Sequence, residues 1–124
     1  MTTTATPDAT QILDGMRAAM GDVPTAIIKA TSADPRMVVE QARSSAYAMP
    51  SEDGALDAET RTLIYLAVAL ATSNHACTVA MTNKARVQSI PSAKLLEAMH
   101  IARYAMATRV LGDAEPVFDL INER

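Results

Sequence analysis

Cysteine and aromatic residues are scarce in this chain. Its 124 residues include one cysteine, one phenylalanine, three tyrosines, no tryptophan and only four glycines. A single cysteine excludes a disulfide within the chain, which agrees with a reducing compartment. Alanine is abundant and methionine occurs eight times, whereas the β-branched and aromatic residues that favour strands are few. We therefore expect an all-α protein.

The chain also lacks an excess of positive charge and a long hydrophobic run. Its formal net charge is −3, so no basic surface is expected for nucleic acid or an anionic membrane. The longest apolar run, residues 63–71, is far shorter than the roughly 20 residues that cross a bilayer. The first residues, MTTTATPDAT, lack the basic and apolar regions of a signal peptide. We expect one cytoplasmic domain over residues 1–124, with no nucleic-acid or membrane partner.

Capping residues and prolines predict the helices of the first half. Thr6-Pro7 and Asp34-Pro35 each combine a capping residue with a proline suited to the first helical position. A short helix over residues 24–30 is expected between these two. The stretch PSEDGAL, residues 50–56, combines proline, serine, aspartate and glycine and is predicted to be a surface loop.

Similar signals predict the helices of the second half, for a total of about six to seven. Asp57 is expected to cap an apolar central helix, and Thr72-Ser73-Asn74 to break it before a new helix over residues 75–88. The segment Ser89-Ile90-Pro91-Ser92 is predicted to end that helix and to cap a long core helix, and Asp113 to start a last short one. The apolar stripe of the long helix comprises Leu95, Met99, Ala102, Met106 and Val110.

The only cysteine lies in the stretch SNHACTVAM, residues 73–81. If Ser73 or Asn74 caps the helix, Cys77 falls in its first turn, where free N–H groups and the helix dipole favour a thiolate. His75 is two residues away and points elsewhere on the helix, so a direct Cys–His pair is not implied. The alternative is that Cys77 is a small buried residue beside Ala76 and Ala80.

Two consecutive stretches resemble a known family. They are LDAETRTLIYLAVALATSNHACTVAMTNKAR and IPSAKLLEAMHIARYAMATRVL, and they cover residues 56–111. In helix order, helix length and a leucine- and alanine-rich helix that runs into a cysteine turn, they are similar to the carboxymuconolactone decarboxylase and alkylhydroperoxidase D-like family. The resemblance implies an all-helical bundle that assembles into a homo-oligomer, a trimer or a hexamer.

The resemblance also implies where active-site residues would lie. In the peroxidase branch the signature is Glu, eleven residues, Cys, two residues, Cys, three residues, His. Cys77 matches the second cysteine, whereas Thr62, Asn74 and Met81 occupy the glutamate, first-cysteine and histidine positions. Asn74 cannot form a disulfide and Met81 cannot transfer a proton, so the two-cysteine cycle is not expected. Glu59 lies nearly one helical turn before the glutamate position. The lactone decarboxylase branch also has a histidine at the position of Met81.

Other side chains can replace the missing motif residues. His100 and Tyr104, spaced i, i+4, can supply an acid or base to a pocket, or belong to an interface. Arg61 and Tyr65 have the same spacing and can orient a carboxylate, although an arginine at a helix start often bonds a nearby acid. The candidate catalytic residues are Cys77, His75 and His100. The candidate substrate contacts are Asn74, Met81, Arg61, Tyr65 and Tyr104.

Three functions are compatible with these residues. The first is a single-thiol, peroxiredoxin-type oxidoreductase in which peroxide oxidises Cys77 and an external thiol reduces it. The second is a non-redox enzyme, similar to the lactone decarboxylases, that acts on a small organic acid or lactone. The third is a non-catalytic oligomeric binding protein. Neither a metal nor a cofactor is expected, because the methionines are spaced like core residues and no zinc-type cluster is present.

Overall fold

The computed structural model describes residues 7–50 and 54–124, and within them the chain forms seven α-helices and no strand. The all-α prediction is confirmed. The helices are α1 (Ala9–Met20), α2 (Thr25–Ala33), α3 (Pro35–Ala48), α4 (Ala58–Ala71), α5 (His75–Val87), α6 (Ser92–Asp113) and α7 (Glu115–Asn122). None of these described helices is long and apolar enough to cross a membrane.

Aspartates begin three of the helices by accepting a backbone N–H from the first turn. They are Asp8, Asp34 and Asp57, which precede α1, α3 and α4. The predicted caps at Asp34 and Asp57 are confirmed. Asp8, and not Thr6, caps α1, because its carboxylate reaches the third helical residue; Thr6 itself lies outside the described residues. In the predicted loop, residues 51–53 also lie outside them, and residues 54–56 are exposed.

Helix α4 organises the second half of the molecule, since both α5 and α6 pack against it. Helix α1 packs against α5 and α3, and α2 packs against α3, so α1 joins the two halves. The apolar core consists of small and medium side chains, as the composition predicts. Its buried members are Ala9, Val23, Val38, Leu66, Ala69, Met81, Ala85, Ile90 and Ala102.

Helices α6 and α7 differ from their predictions. Pro91 occupies the cap position of α6 and no side chain caps it, so Ser92 is the first helical residue. The helix continues through Gly112 to Asp113, and α7 begins two residues later than expected, at Glu115.

The predicted core stripe of α6 is mostly exposed. Ala102 is buried, but the exposed fractions are 44% for Met99 and 67% for Val110. The physical reason is that no described helix buries α6 beyond Ala102, since residues 103–113 are all exposed, and α7 packs mainly against α6 itself.

Candidate functional site

The turn between α4 and α5 places the cysteine. Ser73 adopts a left-handed conformation with φ of 56°, and the N–H of Asn74 donates to the carbonyl of Ala69 over 2.8 Å. This is the Schellman arrangement that ends a helix. The side-chain oxygen of Asn74 then accepts the N–H of Cys77 over 3.1 Å and caps α5. One asparagine thus ends one helix and begins the next, and the predicted break at residues 72–74 is confirmed.

Cys77 is the third residue of α5 and is half-buried. Its Sγ lies 3.2 Å from the hydroxyl oxygen of Tyr65 on α4, and either group can donate the hydrogen bond. This hydrogen bond, and then partial burial, raise the pKa of Tyr65 above its ordinary value. A thiolate can only accept, so in that state the Tyr65 hydroxyl is the donor.

Two basic side chains lie on the seam between α4 and α5, by which we mean the line of contact that contains Tyr65 and Cys77. Arg61 is one helical turn before Tyr65, and Lys84 is two turns after Cys77. Both are half-buried. Burial, and then the positive charge of Arg61, lower the pKa of Lys84. Lys84 was missed by the sequence analysis, although its spacing of seven residues from Cys77 places it on the same face of the helix.

Two residues at motif positions belong to the core. Thr62, at the glutamate position, has an exposed fraction of 0%, and its hydroxyl donates to the carbonyl of Ala58 over 3.1 Å. Met81, at the histidine position, has an exposed fraction of 7% and lies between Cys77 and Lys84 along α5. Both motif positions are therefore buried packing positions in this chain.

The two histidines are separated from this group. His75 is the first residue of α5 and is exposed. His100 is also exposed and lies about 200° around α6 from both Ala98 and Ala102, the residues that face α4. Tyr104 shares the exposed side of α6. Of the predicted site residues, the structure brings together Cys77, Asn74, Tyr65, Arg61 and Met81, and leaves His75, His100 and Tyr104 outside this group. Their catalytic or binding roles stay predictions.

Glu59 faces a different part of the molecule. Its carboxylate contacts the ammonium of Lys94 over 2.7 Å, and this contact raises the pKa of Lys94. The pair lies at a groove of about 370 Å³ between α4 and α6, which also contains Leu63, Ile64 and Ile101. Glu59 therefore faces α6, away from the α5 side of α4 on which Cys77 lies.

A second groove, of about 300 Å³, flanks α5 and is lined by residues 22–26 together with Ala76, Val79, Ala80 and Asn83. Within the described parts of the chain, no three histidine, cysteine, aspartate or glutamate side chains are placed to hold a metal ion together.

Comparison with known proteins gives one result that bears on this site. The family model described as "Carboxymuconolactone decarboxylase family" matches residues 38–118. The matched region begins in α3, contains α4, α5 and α6, and ends within α7. A search of curated protein sequences gave no match.

Proposed function

The chain belongs to the carboxymuconolactone decarboxylase family, and from this membership together with the Tyr65–Cys77 contact we propose that it is a single-thiol oxidoreductase that reduces organic hydroperoxides through Cys77. The observation that carries the proposal is the 3.2 Å contact at the start of α5. The first-turn N–H groups of His75 and Ala76 have no partner within the helix, and they favour negative charge beside them. A hydroxyl donor and a helix start are the groups that stabilise a thiolate.

The first half of the proposed reaction oxidises the thiol. The Cys77 thiolate attacks the terminal oxygen of the hydroperoxide ROOH, so that an S–O bond forms and the O–O bond breaks. Sulfur becomes a sulfenic acid, and the alkoxide leaving group is protonated to the alcohol ROH. Tyr65 is well placed to donate this proton, because its hydroxyl touches the sulfur, and its phenolate then regains a proton from solvent.

The second half needs an external reductant, because Asn74 stands where a resolving cysteine would lie. One thiol molecule R′SH attacks the sulfenic acid, releases water and forms a mixed disulfide with Cys77. A second R′SH attacks that disulfide, releases R′SSR′ and restores the Cys77 thiolate. The net reaction converts ROOH and two R′SH into ROH, water and R′SSR′. A cytoplasmic location, where small thiols are abundant, suits this cycle.

Trapping of the sulfenic acid tests the proposal. We expect one adduct of dimedone on Cys77 when native protein is treated with an equimolar benzylic hydroperoxide such as cumene hydroperoxide, as measured by mass spectrometry, and none in Cys77→Ser. Tyr65→Phe should slow oxidation by about tenfold or more, since a hydrogen bond to a charged group is lost. Tyr47→Phe, an exposed tyrosine on α3, is the matched control and should leave the rate unchanged.

An unreactive cysteine would contradict the proposal. If native Cys77 stays unmodified up to pH 9 while the unfolded chain reacts readily, the thiol is core filling and the single-thiol cycle fails.

We further propose that the chain assembles into a homo-oligomer, a trimer or a hexamer. The proposal is supported by the apolar side chains that α6 and α7 leave exposed. They are Leu96, Met99, Ile101, Met106, Val110, Leu111, Val117, Phe118, Leu120 and Ile121. This many exposed apolar side chains on two consecutive helices of a small protein are typical of an interaction site.

A further inference from the structure

We propose that Arg61 and Lys84 form a subsite for a carboxylate, so that the substrate of Cys77 is a small hydroperoxide that bears a carboxylate group. This inference rests on the proposed function for the hydroperoxide, but the carboxylate subsite is testable without any oxidation.

Burial separates these two cations from the other basic residues. The chain has eleven lysines and arginines, and all of them lie within the described residues. Nine are exposed, whereas Arg61 and Lys84 are half-buried. Among the exposed ones, five contact a carboxylate within 4 Å: Arg17, Arg36, Arg43, Lys94 and Arg109.

The two half-buried cations have no contact within 4 Å with any described carboxylate, although Arg61 also interacts electrostatically with Asp57. Partial burial weakens the hydration of both groups, and their like charges repel each other across the seam, as the lowered pKa of Lys84 reflects. An anion bound between them would remove both penalties. A carboxylate suits the guanidinium of Arg61, which can donate two parallel hydrogen bonds to it.

The seam leads from the cations to the thiol. Seven residues of α5 separate Lys84 from Cys77, which corresponds to about 10.5 Å along the helix axis. Helical side chains lean toward the N-terminus of their helix, so Lys84 leans toward Cys77. Met81, which is buried and apolar, lies between them along α5, and Tyr65 lies across from Cys77. A ligand with a carboxylate at one end, a short apolar spacer and a hydroperoxide at the other end matches this order.

The position of the Arg61 guanidinium depends on a glycine. A Cβ added at Gly54 would come within 2.6 Å of a guanidinium nitrogen of Arg61, so a larger residue there must displace it. Gly54→Ala therefore moves one of the two cations without changing the charge of the protein. This gives a test of geometry that is separate from a test of charge.

The binding experiment uses benzoate and its uncharged analogue benzamide, titrated calorimetrically into Cys77→Ser protein, which cannot be oxidised. We expect benzoate to bind and benzamide not to bind. Arg61→Gln, Lys84→Gln and Gly54→Ala should each weaken benzoate binding by about tenfold or more, because a charge-assisted hydrogen bond is lost or displaced. Arg86→Gln removes the same charge from an exposed position on α5 and should change binding less than about twofold.

Several results would overturn the subsite. Equal binding of benzoate and benzamide, or an equal loss in Arg86→Gln, would show that the two cations do not form it. Tighter binding of inorganic phosphate than of benzoate would assign a different ligand. Binding that occurs only after Glu52→Gln and Asp53→Asn would show that these acidic residues already neutralise the cations. Lys84→Met, which retains the aliphatic stem, replaces Lys84→Gln if the latter does not fold.

A kinetic experiment separates the subsite from the chemistry. The rate of Cys77 oxidation is compared for cumene hydroperoxide and for the same compound with a carboxylate at the para position of its ring. We expect about a tenfold preference for the carboxylate in native protein and none in Arg61→Gln or Lys84→Gln. Benzoate binding without oxidation by either compound would retain the subsite and reject the oxidoreductase. Oxidation of both compounds at equal rates would reject the subsite alone.

Discussion

Asn74 forms the connection between α4 and α5 that positions Cys77. Its backbone closes the end of α4, and its side chain caps α5 by accepting the N–H of Cys77. A cysteine at this position, as in the two-cysteine motif, offers only a weak sulfur acceptor for that N–H. At residue 74, where the motif has a cysteine that forms the disulfide, this chain therefore has an asparagine that caps α5 strongly.

Replacement of this cap is expected to lower stability. Asn74→Ala should reduce the free energy of unfolding by about 1 kcal/mol, because the Cys77 N–H loses its acceptor. Asn74→Ser, which retains a capping oxygen, should recover most of the loss. Urea unfolding followed by circular dichroism measures both. An alanine variant as stable as the native protein would contradict this role.

The contact between Tyr65 and Cys77 gives a prediction about pH. The hydrogen bond with Cys77 raises the pKa of Tyr65, so Tyr65 should ionise above the ordinary tyrosine value of about 10. The folded protein therefore holds the Tyr65 proton more tightly than the unfolded chain does. The stabilisation from this hydrogen bond is complete below the pKa of Tyr65 in the unfolded chain and is lost as pH rises through its raised pKa in the folded protein.

An alkaline titration of phenolate absorbance checks that shift. Tyr47→Phe and Tyr104→Phe together leave Tyr65 as the only tyrosine. Adding Cys77→Ala should lower its pKa, since the largest cause of the shift is then absent. A midpoint that does not move on removal of Cys77 would show that burial alone sets it.

At the scale of the helices, two connections use the same unusual backbone. Ser73 and Ser89 have φ values of 56° and 55°, and each follows the end of a helix, α4 and α5 respectively. The N–H of Ile90 donates to the carbonyl of Ala85 over 3.0 Å, which repeats the Schellman arrangement. Glycine is the residue that adopts this left-handed conformation without strain.

Glycine at either serine is therefore expected to stabilise the protein. Left-handed backbone costs about 1–2 kcal/mol for a residue with a Cβ, and the extra freedom of unfolded glycine offsets roughly 0.5–1 kcal/mol of that gain. Ser73→Gly and Ser89→Gly should each raise the free energy of unfolding by about 0.5–1 kcal/mol in urea. Ser44→Gly, at an exposed position within α3, is the control and should lower it. Equal losses in all three variants would contradict the strain.

The sequence predicts most helix boundaries but not how the helices pack. The breaks near Asp34, Asp57 and Asn74 are predictable because a capping side chain acts on residues only two or three positions away. The exposure of α6 is not predictable, because an apolar stripe in the sequence does not reveal how much of the helix a neighbouring helix covers. Pro91 and Gly112 also misled the assignment, since neither a side-chain cap nor a glycine break defines this helix.

The candidate site is likewise predictable from the sequence only in part. The place of Cys77 in a first helical turn follows from local capping, and the structure agrees. The contact of Tyr65 with Cys77, and the approach of Arg61 to Lys84, depend on the register of α4 against α5, which no local signal specifies. Thr62 and Met81 occupy positions where the motif has charged or proton-transferring residues, but both are buried, so in this chain those positions serve packing.

At the scale of the molecule, the exposed apolar surface predicts self-association. Light scattering should show a trimer or a hexamer at micromolar concentration. Leu120→Glu together with Ile121→Glu should shift it toward monomer, because these exposed side chains of α7 would place charges in a buried contact. Met37→Glu introduces a charge at an exposed methionine of α3 and serves as the control.

A native monomer under these conditions would contradict the association. An equal shift in the Met37→Glu control would show that a charge on any exposed apolar side chain disrupts the assembly, so the α7 variant would not locate the interface.

The sparse packing of α7 has a consequence for its backbone amides. Helix α7 has eight residues and packs mainly against α6, and isolated helices shorter than about 12–15 residues are marginal in water. In a single chain its amide hydrogens should exchange with solvent almost as fast as those of an unfolded segment, while those of α4 exchange slowly. If other copies of the chain cover α7 in the assembly, the amide exchange of α7 should slow as protein concentration rises. The exchange rate of this one short helix would then report the fraction of chains that are assembled.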